Sequence, residues 1–124
     1  MKHVIIAMAC LVTSTVVFAQ NKDWKQMEAF HQVMSKTYHP AEEGNLQPVK
    51  DNIDELIKKA KAWQSSSVPA AYKAKPIKPL LDELVTESVA IKEAVAQKKD
   101  DGTLKKMITT AHNTFHEIME KCEK

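Results

Sequence analysis

Apolar side chains return at spacings of three and four along most of the chain, the pattern of helices that each bury one stripe. In the first such segment the stripe is Trp24, Met27, His31, Met34 and Tyr38. His39-Pro40 is expected to end it, because the residue before a proline is pushed out of the helical region. Ala41 to Asn45 then turns the chain, and Asn45 caps a second helix that tolerates Pro48 in its first turn. Leu46, Val49, Ile53, Leu56, Ala60 and Trp63 form the apolar face of that helix. Gln64 to Pro69 interrupts the rhythm, and Pro76 and Pro79 postpone the third helix until Pro79 lies in its opening turn. Its stripe is Ile77, Leu81, Leu84, Ser88, Ile91 and Val95. Asp100 to Thr103 makes a short turn with a cap, after which Leu104, Ile108, Ala111, Phe115, Ile118 and Cys122 mark the fourth. Four amphipathic helices joined by two short turns and one longer crossing predict an all-α, antiparallel up-down-up-down four-helix bundle.

Composition narrows the choice of partners. Two glycines in 124 residues supply too few turns for a sandwich or barrel of short strands. All eighteen basic side chains are lysine, so the guanidinium forks that read base edges and phosphates are missing and sequence-specific nucleic-acid binding is not expected. The lysines are spread over all four helices rather than gathered on one face, which argues against membrane activity.

The first residues read as a leader. Met1-Lys2-His3 is a positive start, Val4 to Phe18 is a run of apolar or small residues, and Val17-Phe18-Ala19 presents small groups where a signal peptidase cuts. Residues 1–19 are therefore expected to be a signal peptide, leaving a bundle domain over 20–124 in the periplasm or outside the cell. The run falls short of the ~20 apolar residues of a membrane span and meets Gln20-Asn21-Lys22-Asp23 directly. Apolar residues continue well past Cys10, which disfavours a lipidated cysteine there. Loss of the leader leaves charges almost balanced, so no electrostatic partner is implied. It also leaves Cys122 without an intrachain partner. The bundle is then not stapled by a disulfide, and Cys122 is a reactive thiol, a link between two copies in a homodimer, a ligand, or a small apolar residue.

Candidate chemistry sits in the histidines. His31 occupies a stripe position where the rhythm calls for an aliphatic side chain, with Met27 and Met34 one turn away on either side. His112 and His116 are four apart, so both project from one helix face and can reach a single atom. Matching the end of the first helix at His39 with the start of the fourth near Gly102 sets His31 level with Ala111-His112, and Met27 level with Phe115-His116. The expectation is a late transition ion held by His31, His112 and His116, with Met27, Met34, His39 or Glu43 completing the set. Imidazole suits zinc, copper and nickel, and thioethers tilt the choice toward copper(I). His39 to Glu43 also places an imidazole and a carboxylate together, either as a separate site or as a C-terminal histidine that complements the helix dipole. Such a protein stores, delivers or sequesters the ion.

The run His112-Asn113-Thr114-Phe115-His116, taken with Met27, resembles the soluble periplasmic b-type cytochromes of the four-helix-bundle kind. The resemblance implies non-covalent haem b with Met27 and His116 as axial ligands, and electron transfer as the function. The architecture is also similar to cytochrome c-prime, but no Cys-x-x-Cys-His is present, so covalent attachment is excluded. His31, His39 and His112 have no role in that pattern, and no arginine is available for haem propionates. The segments Phe30 to Asn45 and His112 to Cys122 are similar, too, to small secreted His-containing bundles of unknown function, a likeness that supplies no chemistry. A bundle that merely binds a partner, with structural histidines, is the third reading. An enzyme is not expected: a compact bundle offers little cleft, and His116 and Cys122, six apart, lie on poorly matched faces for a nucleophile pair.

Overall fold

The computed structural model describes residues 23–123. The signal-peptide assignment lies outside the described residues. Four helices follow in order: α1 (Lys25–Glu42), α2 (Gln47–Ser65), α3 (Lys78–Ala96) and α4 (Asp101–Glu123). Each packs on the next, and α1 closes the ring against α4 less closely. The result is the expected all-α four-helix bundle. Among the described residues no helix is long and apolar enough to cross a membrane.

Helix boundaries follow from local chemistry. The Asn45 side chain accepts from the Gln47 N–H at 3.2 Å, and Pro48 stands in the first turn of α2. Pro79 does the same for α3, and Asp100 accepts from the Thr103 N–H at 3.1 Å at the start of α4. The expectation that α1 ends at His39-Pro40 is corrected: the helix runs through Pro40 to Glu42. Pro40 lies in the last turn, where its missing N–H costs a single bond, while Ala41 beyond it is buried in the core. Gly44 is what stops the helix. At φ +92° it lets its own N–H reach Ala41 O (3.0 Å) and the Asn45 N–H reach Pro40 O (2.9 Å), the paired bonds of a Schellman end. The same pair closes α3, Lys98 N–H to Val95 O and Lys99 N–H to Ala94 O, each 3.0 Å, with Lys98 at φ 59°.

The buried stripes of α2, α3 and α4 match expectation closely. Ala94 is buried where Val95 was expected, and Cys122 is only half-buried in the last turn of α4. In α1 the stripe is rotated. Phe30, Val33, Met34, Thr37 and Ala41 are buried, Met27 and Tyr38 lie at the boundary, and His31 is exposed. Phe30 and Val33 carry no polar atom, so the helix turns them inward and leaves amphipathic rings at the edge. Phe30, Trp63 and Phe115 meet with ring centroids 5.4 to 5.9 Å apart and form the centre of the core. Trp24 stacks on Tyr72 at 6.2 Å, and its Nε1 donates to Ser66 Oγ at 2.8 Å, tying the start of α1 to the α2–α3 crossing. A short 3₁₀ turn in that crossing, Ala70–Tyr72, buries Tyr72 and was not expected from the pattern.

Candidate metal centre at the α1–α4 edge

α1 and α4 meet along an aromatic seam, and a hollow of about 240 Å³ opens at its edge. Its lining is His31, Met34, Ser35 and His39 from α1, with His112, Phe115 and His116 from α4. All four histidines of residues 23–123 thus border one cavity.

The α4 pair is the most organised part. One helical turn brings His112 Nε2 within 3.2 Å of His116 Nε2. Two nitrogens each about 2.0–2.1 Å from one tetrahedral ion stand about 3.3 Å apart, so the pair already has the spacing of a chelate. His112 is held flat against Tyr38, with centroids 3.7 Å apart and planes 8° from parallel. Its Nδ1 is buried with no hydrogen-bond partner. Burial first, then the neighbouring His116, push the His112 pKa down to about 4; Glu42 opposes this, and His39 and His31 add to it in that order. The ring is neutral at pH 7, so an ion meets an imidazole rather than an imidazolium there.

On α1 the carboxylate partner is Glu42. His39 Nδ1 lies 3.3 Å from Glu42 Oε1, and burial first, then the nearby Glu42, hold the Tyr38 pKa above its usual value. Glu43, the carboxylate expected here, is exposed at the C-cap and does not line the hollow. The spacing His39 to Glu42, three apart on a helix, carried this signal in the sequence.

Two expectations of placement are corrected. His31 is not in the buried stripe; it lies on the hollow's rim against Phe115, with centroids 5.2 Å apart. It is not level with His112 either. Tyr38, seven residues on, takes that place, because α4 is displaced by about one to two turns along α1 from the alignment of helix ends. Met34 is brought to the hollow, but Met27 lines a separate one with Trp24, Glu28 and Gln32, so the two residues implied by the cytochrome resemblance, Met27 and His116, border different cavities. Cys122 lies outside the hollow, and burial raises its thiol pKa, which disfavours the nucleophilic thiolate. Among the described residues no three His, Cys, Asp or Glu side chains, as they stand, form a group that could hold a metal ion. The structure thus brings together a preformed pair and two further histidines around it, not a closed triad. Comparison of the chain with protein-family models, curated proteins and solved structures finds no match.

Proposed function

We propose that this bundle binds one late transition ion, zinc or copper, on the His112–His116 pair, and that it serves an exported chain in storing, delivering or sequestering that ion. The observation that carries the reading is the 3.2 Å approach of the two Nε2 atoms in a hollow that His31 and His39 also line. Imidazole nitrogens at this spacing suit borderline ions and disfavour calcium or magnesium, which take oxygen ligands. Met34 at the same hollow offers a thioether should the ion be copper(I). The role is binding and transfer rather than catalysis.

The test is elemental analysis of protein purified without affinity tag or chelator, followed by removal of bound metal and retitration with Zn²⁺ and Cu²⁺. About one equivalent is expected. His112→Ala and His116→Ala should each weaken binding at least about tenfold, as loss of a direct ligand does. Unchanged affinity in both variants would refute the proposal.

A further inference from the structure

The His112–His116 pair offers two ligands, whereas zinc and copper(II) take three or four. Resting on the metal reading above, we infer that His39 is the third arm of the site, and that Glu42 and Tyr38 are its positioning residues. His31 is left out of the ligand set.

The choice between His39 and His31 turns on what each ring touches. A metal-bound imidazole characteristically gives its other N–H to a carboxylate, which fixes the tautomer and makes the ligating nitrogen more basic. His39 has this arrangement before any metal arrives: Nδ1 faces Glu42 Oε1 at 3.3 Å, which leaves the Nε2 lone pair for an ion. His31 has its ring against Phe115 instead, and no carboxylate among the described residues bonds it.

Tyr38 links the two halves. Its ring lies face to face with His112 at 3.7 Å, and Glu42, which faces His39, stands one helical turn further along the same helix. Glu42 therefore orients the ligand on α1, and the Tyr38 ring holds the ligand on α4 by stacking. His39 and Glu42 are 67% and 50% exposed at the side chain, so the third arm can swing onto the ion without disturbing the core.

Zn²⁺ affinity is measured on the full chain by calorimetry and by competition with a chromophoric chelator, and Co²⁺ is added as a probe whose visible bands report ligand number. His39→Ala and Glu42→Gln should each lower Zn²⁺ affinity about ten- to hundredfold. Glu43→Gln removes the same charge one residue away and should leave affinity within about twofold. His31→Ala should do likewise. Tyr38→Phe keeps the stack and should retain most of the affinity that Tyr38→Ala loses, with the Co²⁺ bands of Tyr38→Phe unchanged in position. Equal losses in Glu42→Gln and Glu43→Gln would reduce the carboxylate to general charge and overturn the inference. So would a loss in His31→Ala with none in His39→Ala. If His112→Ala abolishes binding while His39→Ala and Glu42→Gln do not change it, the third arm is wrong and the pair stands; if His112→Ala and His116→Ala change nothing, the metal reading itself has failed.

Discussion

Replacing His112 by Phe should make the metal-free bundle resist acid better. In the folded chain the His112 pKa is pushed down to about 4 from an ordinary 6.5, chiefly by burial and then by His116. The unfolded chain therefore binds a proton on this ring between pH 6.5 and 4 that the folded chain refuses, so stability falls with falling pH across that window and is fully present above it. At 1.36 kcal/mol per pKa unit the loss is bounded at roughly 3 kcal/mol, and solvent at a half-buried ring screens it to about 1–2 kcal/mol. Phenylalanine keeps the ring on Tyr38, carries no titrating group, and removes the buried Nδ1 that has no partner. Urea unfolding is followed by far-ultraviolet circular dichroism in chelator at pH 7.5, 6.0 and 4.5. His112→Phe should be at least as stable as the parent at pH 7.5 and gain a further 1–2 kcal/mol or so on it by pH 4.5. Parallel stability curves across this range would refute the reasoning, because they would mean that the ring titrates alike in both states.

Two other outcomes follow from the fold. Lys98 adopts φ 59° where Gly44 takes the equivalent place at the end of α1, so Lys98→Gly should raise stability by about 0.5–1 kcal/mol in thermal or urea unfolding, the relief of a left-handed side chain less the entropy of glycine. Glu87 accepts from Thr114 at 3.1 Å through Oε2, but its Oε1 is buried without a partner, and burial outweighs that bond to hold its pKa above the usual value. A carboxyl with a raised folded pKa stabilises below its unfolded pKa and loses that contribution as pH rises through the folded one. Glu87→Gln should therefore raise the melting temperature at pH 7 and lose this advantage near pH 4; a pH-independent difference would count against it.

Much of the molecule was legible because the information is local. Three-four spacing marks which face of each helix is apolar, and the stripes of α2, α3 and α4 lie where that spacing puts them. The α1 face was harder to read. Two overlapping stripes share Met34, and the choice between a His31 face and a Phe30–Val33 face is made by what the neighbouring helices offer. Phe115 and Trp63 offer an aromatic layer, and Phe30 completes it.

The same division runs through the candidate site. His112 and His116 meet because four residues make about one turn, and His39 meets Glu42 because three residues share a helix face; both contacts form within a single helix. Where α1 lies along α4 is not a local matter. That register comes from helix ends closed by Gly44 and Lys98, from the α2–α3 crossing pinned by Trp24 and Ser66, and from the packing of large rings between helices distant in sequence. Counting from helix ends set His31 beside His112; packing set Tyr38 there and moved His31 to the rim. The sequence by itself determined four amphipathic helices and two short-range polar pairs, since each depends only on residues one turn apart. The tertiary structure alone decided that these pairs face one hollow, because sliding one helix along another by a turn preserves every local contact and changes every partner across the gap.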